Sequence, residues 1–268
     1  MKTILVVALM AMGLAVRAAS PDVFLLMGQS NMAGYGALLP EDKRPHEGQW
    51  VLRGTPEKDA RWEAAAHPFH TRCPASDRYG LAGAFGLLYR ETWPTREVGF
   101  VPLGWGGAAL ARMDQASPYY KEVLAKARWA KANGTLKGLL WHQGCSDTVH
   151  SKDAETYAER LKAFFEGLRK DLEMPELPIV IGDLPAFYGT LYPPHAAPDR
   201  QARIRTVRAA LRRVAREVPH ATFVPSANLR SHDGYNVHFD RASDVILGAR
   251  YFDAYWRLIT PTTPDLAE

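Results

Sequence analysis

The 268-residue chain contains only two cysteines, Cys73 and Cys145. Neither lies in a Cys-x-x-Cys pair, so the sequence does not indicate a zinc site or a dithiol redox centre. His67 and His70 have a spacing found at metal sites, but two histidines at this spacing are a weak signal, and no metal is predicted. The chain also lacks the Gly-x-Gly-x-x-Gly spacing and the Walker lysine of nucleotide-binding loops. These absences disfavour a metalloprotein and a flavin or nucleotide binder.

One apolar run stands apart from the rest of the chain, at its beginning. Residues 3–16 are apolar, follow a basic start, and precede small residues that suit cleavage near Ala18. The run is too short to span a bilayer comfortably, so residues 1–18 are predicted to be a secretory signal peptide, with an uncleaved anchor as the alternative. The prediction implies a single domain over residues 19–268 and a secreted or periplasmic location. Export would permit a disulfide, although the sequence alone cannot place Cys73 beside Cys145.

Positive charge slightly exceeds negative charge, with a formal net charge of +4. Loss of Lys2 and Arg17 with the signal peptide lowers this charge to +2, so the basic composition is no sign of a nucleic-acid partner. Arginines cluster between residues 200 and 216 and alternate with apolar residues at helical spacing. This pattern is typical of a surface helix with a solvated basic face. Because no aromatic residues interleave with the arginines, phosphate binding is the less favoured interpretation. We expect no nucleic-acid partner, and no membrane partner after cleavage.

Five apolar runs have the length of strands and are separated by helical patterns. Parallel strands are therefore predicted near residues 23–27, 98–103, 136–141, 179–184 and 222–224. Helices are predicted near residues 81–92, 119–131, 157–172, 200–216 and 242–258. Alternation of this kind predicts a five-stranded parallel sheet in a flavodoxin-like, three-layer α/β/α sandwich. Residues 37–78 break the pattern, and an irregular segment of that length is typical of a lid or binding surface.

Polar segments follow the predicted strands where reactive groups gather in an α/β sheet. A serine hydroxyl needs a base to become a nucleophile, and His238 can take the proton of Ser30 near neutral pH. The backbone N–H groups of Ser30 and Gly107 and the side-chain amide of Gln143 would supply three donors to an oxyanion. Taken singly, these residues have simpler interpretations: a helix N-cap, a turn glycine and a surface histidine. As a set, they favour acyl transfer by a serine nucleophile.

The set resembles the motifs of the SGNH (GDSL-type) hydrolases, and more narrowly those of carbohydrate esterase family 6 and the sialate O-acetylesterase-like domain. Four blocks carry the resemblance: Met-Gly-Gln-Ser-Asn-Met-Ala-Gly at 27–34, Leu-Gly-Trp-Gly-Gly at 103–107, Leu-Trp-His-Gln-Gly-Cys-Ser-Asp-Thr at 140–148 and Val-His-Phe-Asp at 237–240. The resemblance implies that Ser30 is the nucleophile, His238 the base, and Gly107 and Gln143 part of the oxyanion hole. It also implies an acetylated carbohydrate substrate, of the acetylxylan or O-acetylated sialic acid class, and no metal or cofactor.

The chain departs from this family pattern at both positions that usually supply the acid of a triad. Cys145 stands where the third block often has glutamate, and Tyr235 stands where the last block often has aspartate. Asp233 is the nearest substitute and is predicted to orient His238, whereas Asp240 is the weaker candidate because it falls at the start of the last helix. A serine–histidine dyad and an impaired site that binds carbohydrate without hydrolysing it are the open alternatives.

Overall fold

The computed structural model describes residues 20–71, 78–190, 198–232 and 237–260. Its strands are β1 (Asp22–Gly28), β2 (Gly36–Ala37), β3 (Gln49–Arg53), β4 (Arg61–Ala64), β5 (Arg78–Tyr79), β6 (Val98–Gly104), β7 (Thr135–His142), β8 (Ile179–Gly182) and β9 (Ala221–Val224). Its helices are α1 (Ser30–Ala33), α2 (Ala82–Thr92), α3 (Pro118–Ala132), α4 (Ser151–Glu155), α5 (Tyr157–Asp171), α6 (Pro198–Glu217) and α7 (Arg241–Ile259). Short 3-10 turns cover Pro40–Lys43, Leu110–Arg112 and Ser146–Thr148.

The described strands form one large sheet and one small ladder. The large sheet has seven strands in the order β4-β3-β6-β1-β7-β8-β9. Its central strand, β1, pairs in parallel with β6 on one side and β7 on the other. The one antiparallel pair of this sheet joins β3 to β4 at the edge. A mostly parallel sheet flanked by helices confirms the predicted α/β fold class, and the five predicted helices lie within two residues of their expected bounds.

Strand β1 shows why the sheet is covered on both faces. Val23, Leu25 and Met27 belong to one core, and Phe24 and Leu26 belong to the other. All five side chains are completely buried, as expected for a parallel strand that is apolar on both faces. Residues of α3, α5 and α6 pack in the first core, and residues of α2 and α7 pack in the second. The two layers of helices therefore leave the ends of the strands as the place for a site.

The sheet has more strands than the sequence predicts, and in this respect the expectation of five strands was wrong. The additional strands β3 and β4 come from residues 37–78, which the sequence analysis assigned to an irregular segment. Strand β3 lies between Gly48 and Gly54, whose φ values are 69° and 75°. Of its five residues, Val51 and Leu52 are the buried apolar ones. Such a short apolar run shows no clear period, and pairing with β6 stabilises the strand where local propensity does not.

No described helix has the combination of length and apolar character needed to cross a bilayer. The predicted signal peptide, residues 1–18, lies outside the described residues, so its existence and the location that follows from it stay predictions.

An ion pair joins the segment before β3 to the beginning of α7. Arg241 donates to both carboxylate oxygens of Asp42, at 2.8 and 2.6 Å, and the backbone N–H of Leu39 donates to the same group at 2.8 Å. Burial raises the pKa of Asp42, but the hydrogen bonds from Arg241 and Leu39 outweigh it and leave the pKa below its usual value. A lowered carboxylate pKa stabilises the folded state at neutral pH, and this contribution is lost as the pH falls through the folded pKa.

The replacement Asp42→Asn is expected to lower the free energy of unfolding at pH 7 by about 1–3 kcal/mol, because it leaves Arg241 without its anion. The difference between the variant and the parent should shrink as the pH falls below about 4, because the Asp42 carboxylate of the unfolded parent then takes up a proton, and the folded carboxylate, with its lowered pKa, does so only at a still lower pH. Urea unfolding followed by circular dichroism at several pH values measures both effects.

A matched control is Asp253→Asn, which removes an exposed ion pair with Arg257 at 3.0 Å on α7. Its expected effect is below about 0.5 kcal/mol, since exposed pairs contribute little. Equal losses in the two variants, or a loss in Asp42→Asn that does not depend on pH, would contradict the assigned role of Asp42.

Candidate active site

Backbone hydrogen bonds join the ends of β1, β6 and β7 next to the predicted nucleophile, Ser30. The backbone N–H of Gln29 donates to the carbonyl of His142 at 3.0 Å, and the N–H of Trp105 donates to the carbonyl of Gly28 at 2.9 Å. Gly28 has a φ of 141°, and a Cβ there would lie 2.2 Å from the carbonyl oxygen of His142. A side chain has no room at this position, so glycine is required for β1 and β7 to end so close together. Ser30 begins α1 directly after this junction.

Ser30 and His238 are in contact although they are 208 residues apart in the chain. Nε2 of His238 lies 3.1 Å from Oγ of Ser30, which is a hydrogen-bond distance. The histidine loop is held nearby because the side-chain amide of Asn31 donates to the carbonyl of Val237 at 2.9 Å. Ser30 is 5% exposed, and it lines a cleft of about 300 Å³ together with His238. This geometry suits transfer of the serine proton to the imidazole.

Tyr35 holds the imidazole of His238 by stacking. The two ring centroids are 3.7 Å apart and the ring planes differ by 10°. The guanidinium carbon of Arg78 lies 5.1 Å from the centroid of the Tyr35 ring, and Arg78 donates to the Tyr35 carbonyl at 3.1 Å. Stacking restricts rotation of the imidazole and so favours one orientation towards Ser30. The sequence analysis missed Tyr35, because a contact between residues so far apart in the chain has no local sequence signal.

Two backbone N–H groups are available at the cleft for an oxyanion. Ser30 and Gly107 both line it, and in the described part of the chain neither N–H has a hydrogen-bond acceptor. Gly107 has a φ of 68°, and a Cβ there would have no neighbour within 4 Å. Glycine is therefore favoured here because it adopts the left-handed backbone conformation without strain, and not because a side chain would clash with a neighbour. Of the predicted set, the structure brings Ser30, Gly107 and His238 to one cleft.

Gln143 lies beneath the cleft, and it is not among the described residues that line it. The side chain of Gln143 is only 1% exposed. Its Nε2 donates to the Ala108 carbonyl at 3.0 Å and to the Asp147 carboxylate at 2.5 Å. Its Oε1 accepts a hydrogen bond from the Tyr157 hydroxyl at 2.6 Å. Both amide protons are used in this network. The predicted contact with an oxyanion would require one of these bonds to break, so it stays a prediction. What the structure shows is that Gln143 holds the turn after Gly107.

Asp147 anchors the same turn from inside the protein. It is completely buried, and its carboxylate accepts the backbone N–H of Leu110 at 3.1 and 3.0 Å and a guanidinium N–H of Arg160 at 3.2 Å. Burial raises the pKa of Asp147, and the bonds from Gln143 and Leu110 oppose that rise without cancelling it. The sequence analysis placed Asp147 in a motif but gave it no role, since the motif does not show which groups it would contact.

Of the two candidate acids of the triad, the structure describes Asp240 but not Asp233. Asp233 and Tyr235 lie outside them, so the role of Asp233 stays a prediction. Asp240 is the N-cap of α7, and its carboxylate accepts the backbone N–H of Ser243 at 2.7 Å. Burial raises the pKa of the Cys145 thiol to about 12, so this side chain is neutral at physiological pH. Cys145 therefore does not replace the carboxylate that the family often has at its position.

Three further histidines lie in the core. Burial lowers the pKa of His67, His70 and His142 to about 3, so all three are neutral at physiological pH. His67 stacks between Phe69 and Tyr79, with centroid distances of 4.4 and 4.1 Å. Among the residues that the structure describes, no three His, Cys, Asp or Glu side chains are grouped as metal ligands. Cys73, the candidate disulfide partner of Cys145, lies outside the described ranges.

The chain matches proteins of a known family over most of its length. The sequence profile of the family described as "carbohydrate esterase, sialic acid-specific acetylesterase" matches residues 20–257. The chain is 32% identical over 177 residues to the probable carbohydrate esterase At4g34215 of Arabidopsis thaliana, across 59% of this chain and 67% of that protein. The solved structure of that protein superposes with a TM-score of 0.76 and 26% identity, covering 88% of this chain and 98% of the other.

Two bacterial structures share the fold at lower identity. A carbohydrate acetylesterase from Xanthomonas citri matches with a TM-score of 0.61 and 19% identity, covering 88% of this chain and 56% of the other. An acetylxylan esterase from Geobacillus stearothermophilus matches with a TM-score of 0.50 and 15% identity, covering 89% and 95%. Because the family profile covers nearly every described residue, and the SGNH-type motifs lie within it, the chain belongs to the carbohydrate esterase, sialic acid-specific acetylesterase family.

Proposed function

We propose that the chain is a serine esterase that removes O-acetyl groups from a carbohydrate. The observation that carries this proposal is the 3.1 Å hydrogen bond between His238 and Ser30, beside the unshared N–H groups of Ser30 and Gly107. Membership of a carbohydrate esterase family supports an acetylated sugar of the acetylxylan or O-acetylated sialic acid class as the substrate. A secreted or periplasmic location, based on the apolar run before residue 19, is part of the same proposal.

The first half-reaction transfers the acetyl group to the enzyme. Oγ of Ser30 attacks the acetyl carbonyl carbon while Nε2 of His238 takes the hydroxyl proton. The carbonyl oxygen becomes an oxyanion, which the N–H groups of Ser30 and Gly107 stabilise. Collapse of this intermediate breaks the bond between the carbonyl carbon and the sugar oxygen, and that oxygen receives the proton from His238. The deacetylated sugar leaves and acetyl-serine remains.

The second half-reaction restores the enzyme. Water attacks the carbonyl carbon of acetyl-serine and gives a proton to His238. The intermediate collapses with cleavage of the bond to Oγ, which takes the proton back from His238, and acetic acid is released. The stacked ring of Tyr35 keeps the imidazole in one orientation through both steps.

A carbohydrate-binding protein without hydrolytic activity is the second candidate. It is favoured by the neutral thiol of Cys145 at a position where the family often has a carboxylate. Loss of the acid that orients a catalytic histidine can lower turnover by up to about ten-thousandfold. Hydrolysis measurements on the purified protein separate this candidate from an active esterase.

The replacement Ser30→Ala is expected to lower the rate of 4-nitrophenyl acetate hydrolysis by more than about a thousandfold, because it removes the nucleophile. The melting temperature should stay within about 2 °C of the parent value, since one hydroxyl is lost without a change of packing. The same variant should release no acetate from acetylated xylan or from O-acetylated sialic acid.

The control is Ser151→Ala, at an exposed serine that begins α4 and does not line the cleft. This variant should keep the parent rate. Full activity in Ser30→Ala would refute the assignment of the nucleophile, and a parent rate no higher than that of Ser30→Ala would support the non-hydrolytic candidate.

The two candidate acids have different expected effects. Asp233→Asn should lower kcat by up to about ten-thousandfold if Asp233 orients His238, with little change in melting temperature. Asp240→Ala should lower the free energy of unfolding by about 1 kcal/mol, because it removes the cap of α7, and should leave kcat per folded molecule near the parent value. Steady-state kinetics and thermal unfolding of both variants decide the point. An unchanged kcat in Asp233→Asn would favour the serine–histidine dyad.

The replacement Tyr35→Leu is expected to lower kcat by about threefold to tenfold, since the stacking contact that orients His238 is lost. Tyr35→Phe keeps an aromatic ring at this position and should retain most of the parent kcat. Initial rates with 4-nitrophenyl acetate measure the effect. Equal losses in the two variants would show that the hydroxyl of Tyr35, and not its ring, is the important group.

A further inference from the structure

We propose that Arg200 is a specificity-determining residue that binds a carboxylate on the acetylated sugar, so that the preferred substrate is an acidic sugar and not a neutral one. This inference rests on the proposed esterase function and adds the charge of the substrate to it. Arg200 is the third residue of α6, and it lines the same cleft as Ser30 and His238. A group bound by Arg200 would therefore share the cleft with the reacting ester.

Arg200 has hydrogen-bonding capacity that the described protein atoms do not use. One terminal nitrogen of its guanidinium donates to the hydroxyl of Tyr188 at 2.7 Å, and Nε is buried without an acceptor. No described carboxylate forms an ion pair with it. A guanidinium carries five N–H donors in a planar fork that matches the two oxygens of a carboxylate. The bond to Tyr188 fixes the side chain and leaves terminal N–H groups for a ligand.

Three other arginines of α6 are engaged differently. Arg212 pairs with Asp183 at 3.2 Å, and Arg213 pairs with a glutamate of α5 and another of its own helix. Arg203 donates to the backbone carbonyl of Thr148 at 2.8 Å. These contacts fit the structural interpretation of the arginine cluster. Arg200 differs from them because it lines the cleft and pairs with none of the described carboxylates.

The described lining of the cleft offers no negative charge to Arg200. No acidic residue is among the described residues that line the cleft. Burial raises the pKa of Cys145 and of Tyr188, and nearby Arg200 opposes the rise only in part, so both side chains remain neutral. The first turn of α6 adds the partial positive charge of a helix N-terminus. A cation in a small cleft whose described lining carries no acidic side chain favours an anionic ligand.

Two kinds of sugar offer a carboxylate together with hydroxyl groups that can be acetylated. Hexuronic acids carry it on a six-carbon chain, and sialic-type nonulosonic acids carry it on a nine-carbon chain. Xylose has no carboxylate and would leave the charge of Arg200 unpaired in the cleft. The shared chemistry is therefore an O-acetylated sugar acid, and the two sources can be compared directly.

The test uses pairs of substrates that differ in charge alone. One pair is an O-acetylated methyl glucuronoside and its primary amide, and the other is O-acetylated N-acetylneuraminic acid and its primary amide. The parent protein should prefer the acid of at least one pair by about tenfold to a hundredfold in kcat/KM for acetate release, mainly through a lower KM. The pair with the larger preference identifies the source of the sugar acid.

Variants then assign the preference to one side chain. Arg200→Gln should bring the ratio of acid to amide close to one, and Arg200→Lys should keep part of the preference because it keeps the charge. The matched control is Arg205→Gln, at an exposed arginine of the same helix that does not line the cleft. It removes the same charge from α6 and should keep the parent ratio.

Equal kcat/KM for acid and amide in the parent would overturn the proposal. So would Arg200→Gln if it lowered kcat for the acid and the amide alike, since that is the signature of a residue that supports the catalytic groups. If Arg200→Gln does not fold, the ratios in the parent and in Arg200→Lys decide. Hydrolysis of 4-nitrophenyl acetate without acetate release from either sugar acid overturns this proposal alone, whereas no hydrolysis of any ester contradicts the esterase function itself.

Discussion

The close approach of two backbones, at Gly28 in β1 and at His142 in β7, is the constraint on which the site depends. The distance left for a Cβ at Gly28 is 2.2 Å, far below any contact that a side chain tolerates. Next to this contact, the backbone N–H of Gln29, the residue after Gly28, donates to the carbonyl of His142. Ser30 follows directly and begins α1. The nucleophile thus owes its place to a backbone junction at which a side chain in place of Gly28 would clash with the carbonyl of His142.

A second layer of organisation lies under the cleft, and it is polar. The carboxylate of Asp147 and the amide of Gln143 share a bond, and each is also bonded to backbone groups of the turn that follows Gly107. Tyr157 closes the network from α5. Buried polar groups are costly when unpaired, so a network with its donors and acceptors occupied restricts the turn to one conformation. The N–H of Gly107 is therefore positioned by groups that lie below the surface of the cleft.

Much of this arrangement could be predicted from the sequence, for identifiable reasons. The strand before Ser30 is an uninterrupted apolar run, and the helices carry a clear 3.6-residue period, so α/β order and the edge that holds the site were both apparent. Strands β3 and β4 were not, because each depends on hydrogen bonds to a neighbour that a local pattern does not show. The stacking of Tyr35 on His238 and the burial of Gln143 are likewise contacts across the fold. Motif reasoning identified which residues gather at the cleft more reliably than it identified which atoms face it.

The three buried imidazoles in the core make the stability of the folded protein depend on pH. His67, His70 and His142 have pKa values of about 3 in the folded protein, against 6.5 for an ordinary histidine. At pH values between these two pKa values, the unfolded chain binds up to three protons that the folded chain does not bind. Each imidazole then shifts the balance towards the unfolded chain by up to about 1.4 kcal/mol for every unit by which the pH decreases. Acidification below about pH 6.5 therefore destabilises the folded protein, and at neutral pH the three imidazoles no longer oppose folding in this way.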